Sequence, residues 1–319
     1  MTAAAFYCMS SAAYFLGAVG MINSLRLQGH TEPIYLLDLG LTAAQRELPA
    51  PEVSFVAAPA DTQPWLLKTI APLAHPAETM VLIDADMVAT RPLGELIERA
   101  RSGRVIAFEN EIDRFVPEWG ALLDLGPLRR RPYVSSGLVL CGGEIGAEVL
   151  RLLDDRQRRV EFERSFFDRR ETDYALLYLD QDVLNAILAS RVVGPDAAEA
   201  LPYRLAPSMP PFPGLGLLDA EALRCAYADG TEPYVVHHIL PDKPWLRPMY
   251  DAIYSRLLKR LLIGPGLAIR VPSEVLPLRM RTGPLAYAER KRVDAAVRIR
   301  WHVGIAVHRI RTRLGAATR

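Results

Sequence analysis

The chain has 319 residues, 50% of them hydrophobic and 24% charged, with a net charge of +1. This composition excludes a disordered or collagen-like chain and fits a globular protein of one large or two modest domains. Its three cysteines, Cys8, Cys141 and Cys225, are too far apart for a metal finger or a disulfide framework and read as free thiols in a reducing compartment.

The first segment, AAFYCMS (3–9), is short, apolar and partly aromatic, and predicts a buried strand. Ser10 and Ser11 are placed to cap the helix expected over AAYFLGAVGMINSLRLQ. No charge precedes Arg26, but the apolar stretch has no basic start and is broken by Ser10, Ser11, Gly17 and Gly20. It therefore reads as strand plus helix rather than a secretory signal. Strands follow at PIYLLDLG (33–40), VSFVAAP (53–59), TMVLIDADMV and RVIAFEN. Helical segments alternate with them at TAAQRELP, PWLLKTIAPLAH (64–75) and RPLGELIERARSG. Such alternation predicts an α/β fold with a mostly parallel sheet covered on both faces.

Further along, YVSSGLVLCGG (133–143) is a strand and 144–167 a charged helical stretch with a solvated face. A helix is expected to begin near Asp180 and Gln181. The Pro- and Gly-rich segment 201–217 is a loop that can cover a pocket, and TEPYVVHHILPDKPW (231–245) a strand running into a turn. No run of about 20 apolar residues occurs, so no membrane span is expected.

Charge is unevenly spread. Residues 246–319 hold 16 Lys+Arg against 4 Asp+Glu, a surplus of +12, so residues 1–245, with 22 and 33, carry −11. Within this tail, residues 285–314 form a basic amphipathic pattern. It suits either an anionic membrane surface or packing within the molecule or a homo-oligomer. No nucleic-acid-binding module is recognisable, so nucleic acid is not an expected partner.

Asp84 and Asp86 stand one residue apart at the end of an apolar strand, where α/β sheets place ligands. A bend there lets both carboxylates reach one divalent cation, which removes their mutual repulsion. The alternative is an ordinary pair of loop aspartates. His237 and His238 are consecutive, so on a strand one faces the site and the other the packing. Lys243, on the stiff turn before Pro244 and Trp245, is either a phosphate contact or a solvated lysine. Asp180 and Gln181 open a helix, where acids are expected from the dipole alone; they equally suit a sugar ring. Ser135, Ser136 and Gly137 offer hydroxyls and bare backbone, or are a plain turn.

Taken in order, LIDADMVATRPL, YVSSGLVL, LDQDVLNAIL and HHILPDKPW resemble glycosyltransferase family eight, which includes glycogenin and bacterial lipopolysaccharide galactosyl- and glucosyltransferases. The charge and amphipathic pattern of the tail set apart a basic, mainly helical region over 251–319, and the resemblance implies a GT-A (Rossmann-like) catalytic domain over residues 1–250. It implies a nucleotide-sugar donor, usually UDP-sugar, Mn²⁺ or Mg²⁺, retention at the anomeric carbon, and a glycan or lipid-linked acceptor. It also implies a cytoplasmic location, at the inner face of the membrane if the tail binds lipid. By the match Asp84, Asp86 and His237 bind metal, Asp84 also contacts the donor, and Lys243 holds its phosphates. Asp180 binds sugar hydroxyls and Gln181 lies on the attacked face; Lys68, Ser135 and Ser136 line the sugar pocket. Tyr14 stacks on the base, beside Ser11. The chain departs from the family pattern at Ser11 for aspartate, Ser135 for asparagine, Lys68 for arginine and Leu240 for glycine. Ser11, Ser135 and Leu240 favour an alternative, a catalytically degenerate nucleotide-sugar-binding or assembly protein. A sugar nucleotidyltransferase is the other alternative, but CMSSAAYF lacks the basic Gly-rich loop that enzyme needs.

Overall fold

The computed structural model describes residues 2–60, 63, 66–246, 253–293, 295–296 and 299. Seven strands form the main sheet: β1 (Ala4–Ser10), β2 (Ile34–Asp38), β3 (Ser54–Ala57), β4 (Thr79–Ile83), β6 (Val105–Glu109), β7 (Val134–Gly142) and β8 (Ala198–Leu201). Their order is β3-β2-β1-β4-β7-β6-β8. All neighbours pair in parallel except β7, which runs antiparallel to both β4 and β6. The expected mostly parallel sheet is therefore present, with one reversed strand in it.

The period-two rule sorts the side chains of β1. Ala4, Phe6 and Cys8 enter the apolar layer on one face, and Ala5 and Tyr7 the layer on the other. The first layer is closed by α1 (Phe15–Leu27), α4 (Gly94–Arg101) and α8 (Tyr254–Ile263). The second is closed by α3 (Ile70–Ala74), α5 (Trp119–Leu122), α6 (Gly143–Arg156) and α7 (Asp180–Ala189). The short α2 (Ala43–Glu47) carries a capping box between Thr42 and Gln45.

Several local expectations shift. α1 starts at Phe15 with no side-chain cap; Ser10 instead bonds the Ser11 carbonyl, and Tyr14 N–H takes the same acceptor. The segment read as one strand at TMVLIDADMV breaks at Asp84, and the chain resumes as β5 (Met87–Ala89) in a separate ribbon with β11 (Val235–His237). The charged stretch 144–167 stays helical only to Arg156 and then forms two short 3-10 turns. Residues 201–217 brace the stretch around β11: Leu205 O, Pro207 O and Ser208 O accept from Tyr234, His237 and Ile239 N–H. The hairpin of β9 (Leu215–Asp219) and β10 (Arg224–Tyr227) follows.

Four elements go beyond the expected ones: α5, β8 and the two strands of the β9–β10 hairpin, while α8 falls within the region 251–319 expected to be helical. α8 buries Tyr254, Leu257, Leu258, Leu261 and Leu262 in the same layer as α1. Asn23 on α1 donates to Leu261 O and Ile269 O and accepts from Ile269 N–H. Of the basic amphipathic segment 285–314, residues 294, 297–298 and 300–314 lie outside the described residues; 284–293 are helical. Among the described residues no helix is long and apolar enough to cross a membrane.

Candidate metal and donor site

The site is built where β4 leaves the sheet. Asp84 N–H bonds Gly137 O on β7, and Met87 N–H returns to Asp84 O at 3.1 Å, which closes a turn around Ala85. This turn is the bend that the D-x-D reading requires. β5 then pairs antiparallel with β11 in the register His237↔Met87, and His238 N–H bonds Asp86 O at 3.0 Å. That pairing brings a residue from position 237 to the D-x-D turn. His237 Nε2 lies 3.0 Å from Asp86 Oδ1 and 3.9 Å from Asp84 Oδ2. His238 turns the other way, and its ring sits 5.1 Å from that of Tyr254.

Two lysines hold the opposite oxygens. Lys68 Nζ contacts Asp84 Oδ1 at 3.1 Å, and Lys243 Nζ contacts Asp86 Oδ2 at 2.5 Å. Each carboxylate thus has one oxygen on a lysine and the other turned toward the imidazole. Burial pushes the Asp84 carboxyl above its ordinary range despite Lys68. Burial acts on Asp86 too, but His237 and Lys243 overcome it and hold that carboxyl well below its range. Burial disfavours the Lys68 ammonium, yet Asp180 and Asp84 more than compensate and raise it.

A divalent cation fits these residues. The ligand atoms of Asp84, Asp86 and His237 all lie within 4.8 Å of one another. Adjacent donors about 2.1 Å from an octahedral ion stand about 3.0 Å apart, the separation seen between Asp86 and His237. Two carboxylates and one imidazole are hard to borderline donors of the kind Mg²⁺ and Mn²⁺ accept. His237 Nδ1 is buried with no hydrogen-bond partner among the described residues, so none of them fixes the ring's tautomer from behind.

The second half of the site comes from α7. Lys68 Nζ reaches Asp180 Oδ2 at 3.4 Å, an ion-pair distance, and donates to Ser136 O at 3.0 Å. Ser136 N–H bonds Gln181 Oε1 at 3.3 Å. Asp180, Gln181, Ser136, Lys68 and Asp84 therefore form one chain of contacts ending at the D-x-D turn. Neither Asp180 nor Gln181 caps the helix: the N-cap is Leu179, whose φ of +53° is rare for a side-chain-bearing residue. Ser135 Oγ is turned inward and accepts from Gly137 N–H at 3.2 Å.

Sequence reasoning overlooked what anchors this helix start. Asp182 is fully buried and takes Arg114 Nε at 3.1 Å, Tyr133 OH at 2.6 Å and Tyr178 N–H at 2.9 Å. Asn185 bonds Val134 through both its N–H and its C=O. The signal was the second aspartate of D-Q-D and the asparagine after it, polar groups on a helix face that must meet β7.

On the far side of Lys243, Tyr14 makes an edge contact with Trp245, ring centres 6.1 Å apart, and Lys243 Nζ lies 5.5 Å from the Tyr14 ring. Trp245 donates to Ala13 O, and its ring fills the space above Gly17, where a Cβ would stand 2.5 Å from the indole. Ser11 and Leu240 are each partly exposed.

Comparison with protein-family models and with curated proteins finds no match. Solved structures do match. The galactosyltransferase LgtC, in complex with donor and acceptor sugar analogues, superposes with a TM-score of 0.52 over 85% of this chain and 98% of its own, at 14% identity. The fold is that of the GT-A glycosyltransferases. The bifunctional glycosyltransferase WbbM matches with a TM-score of 0.50 over 84% of this chain and 50% of its own, at 13% identity. The glycosyltransferase GlyE of Streptococcus pneumoniae gives 0.50 over 80% and 59%, at 16% identity. Within this GT-A sheet, the Asp84–Asp86–His237 cluster sits beyond the carboxyl end of β4, the edge at which open α/β sheets bind ligands.

Proposed function

We propose that the chain is a retaining, metal-dependent glycosyltransferase that moves a hexose from UDP-glucose or UDP-galactose to a glycan or lipid-linked acceptor in cell-surface polysaccharide synthesis. The observation that carries the reading is the convergence, on a GT-A fold, of Asp84, Asp86 and His237 with the Lys68–Asp180–Gln181 chain beside them. These three residues would hold Mn²⁺ or Mg²⁺, which supplies charge neutralisation to a departing diphosphate.

The protein's own groups account for the rest. Lys243 is in reach to hold donor phosphates once it leaves Asp86. Asp180 accepts from sugar hydroxyls while Lys68 fixes its carboxylate, and Ser135 and Ser136 line the same wall. Tyr14 offers a ring face to the base, with Ser11 beside it. Gln181, held by Ser136 N–H, presents a neutral amide to the sugar. An amide is a poor nucleophile, unlike the carboxylate of retaining glycosidases. The reading therefore favours attack by the acceptor on the face the diphosphate leaves, through a short-lived oxocarbenium-like state. A glycosyl adduct on Gln181 or Asp180, detected by mass spectrometry, would contradict that route.

The deciding experiment is hydrolysis of UDP-glucose and UDP-galactose with Mn²⁺. Turnover is expected in the wild type and is lost in Asp86→Ala. Nucleotide binding with no turnover on any donor would assign a binding module instead.

A further inference from the structure

Lys243 has an environment unlike that of a residue waiting for phosphate. The residue is 1% exposed, and its ammonium donates to Asp86 Oδ2 at 2.5 Å and to His238 O at 2.5 Å. The turn that carries it is fastened on both sides. Trp245 bonds Ala13 O, Pro244 O accepts from Arg279, and Leu246 N–H returns to Lys243 O. The backbone is therefore fixed, and only the four-carbon side chain is free to swing. Lys68 differs, because it divides its charge between Asp84 and Asp180.

We propose that Lys243 is the resident cation of this site: it neutralises Asp86 in the free protein and opposes a divalent ion until an anion draws it away. A buried carboxylate pair is costly without a counter-charge, and the lysine meets that need. The same ammonium, touching one metal-facing carboxylate, repels a doubly charged ion in a medium that screens poorly. Two cations held on one aspartate become stable together only when further negative charge arrives. Resting on the nucleotide-sugar reading, that charge is the donor diphosphate. Metal and donor then bind synergistically, and Lys243 passes from carboxylate to phosphate.

The test measures free Mn²⁺ by electron paramagnetic resonance during titration of the full chain, with and without UDP, GDP, CDP and ADP. Lys243→Met and Lys243→Gln are expected to bind Mn²⁺ about tenfold tighter or more than the wild type when no nucleotide is present. Lys243→Arg, which keeps the charge, stays near the wild type. A lysine that merely supported the fold would give neutral variants with unchanged or weaker Mn²⁺ binding, and that result overturns the proposal. If neither neutral variant folds, the wild type decides. Acetylation of Lys243, read by mass spectrometry, is expected to rise when Mn²⁺ saturates the protein, and no change overturns the proposal. Tighter Mn²⁺ binding by Lys243→Met, with no nucleotide strengthening Mn²⁺ binding to the wild type, upholds the resident cation and refutes the nucleotide-sugar reading.

Discussion

His237 Nε2 lies 3.0 Å from Asp86 Oδ1 although 151 positions separate the two residues. Three residue pairs of a small antiparallel ribbon produce that contact, with Val235, Val236 and His237 opposite Ala89, Val88 and Met87. The imidazole occupies space that is open only because Gly137 has no side chain. A Cβ there would stand 2.8 Å from His237 Cε1 and 2.6 Å from Met87 Cε.

Gly137→Ala is therefore expected to push the ring off the carboxylates without unfolding the chain, since the Gly137 backbone is not left-handed and the other atom in the way, Met87 Cε, is the end of a flexible side chain. A metal donor displaced by a few tenths of an ångström loses alignment. Mn²⁺ affinity should fall about tenfold, equivalent to about 1.4 kcal/mol. Calorimetric titration with Mn²⁺, alongside circular dichroism, checks both halves. Unchanged affinity would mean that the ring tolerates the methyl group.

Arg114 is the principal cationic partner of Asp182, a carboxylate with no exposed surface. Burial raises that carboxyl, and Arg114 and Tyr133 oppose the rise. Arg114→Ala leaves the charge buried with its counter-ion gone, so a loss of about 3–5 kcal/mol is expected in urea unfolding. Asp182 also holds Tyr178 N–H just before the strained Leu179. The same variant should thus disturb Asp180 and Gln181 and slow any UDP-sugar turnover more than it weakens Mn²⁺ binding.

Much of the fold was legible because its causes are local. Near-continuous apolar runs such as VLI before Asp84 and LVLC after Gly137, containing β-branched residues and bounded by turn residues, read as central strands, and they sit side by side as β4 and β7. The carboxylate pair was legible as an exception inside such a run. What stayed hidden was pairing. Nothing in VVH announces β5 as its partner, and AEAL at 198–201 is too short and too polar to declare an edge strand. The ends of α1 were misjudged because Ser10 and Ser11 look like caps, whereas the Ser11 carbonyl serves as the acceptor. Lys243 was legible as a cation near the site, but its bond to Asp86 depends on how the turn after β11 folds back.

The thiols offer a simple check on packing. Burial pushes the Cys141 and Cys225 thiols up to about 12, and Cys8 higher still, with Asp84 and Asp86 adding to the burial. Alkylation needs the thiolate. At pH 8 the native protein should take up iodoacetamide at none of the three sites within the time that the urea-unfolded chain takes up three equivalents, by intact-mass measurement. Rapid labelling of Cys8 in the native state would show that the floor of the site opens to solvent.

Asn23 separates stability from site chemistry. It is fully buried on α1, and its amide is the joint to α8 and the segment after it. Asn23→Ala leaves Leu261 O, Ile269 O and Ile269 N–H without that partner. Each orphaned buried group costs about 1–3 kcal/mol, so the sum is on the order of 3 kcal/mol or more after partial relaxation. Gly17, which seats Trp245 and Ala85 O, lies almost two turns earlier on the same helix and makes none of these bonds. The midpoint of urea unfolding should therefore drop sharply, while Mn²⁺ affinity per folded molecule stays within about twofold of the wild type. A parallel loss of Mn²⁺ binding would show that α8 supports the metal-facing end of α1 directly.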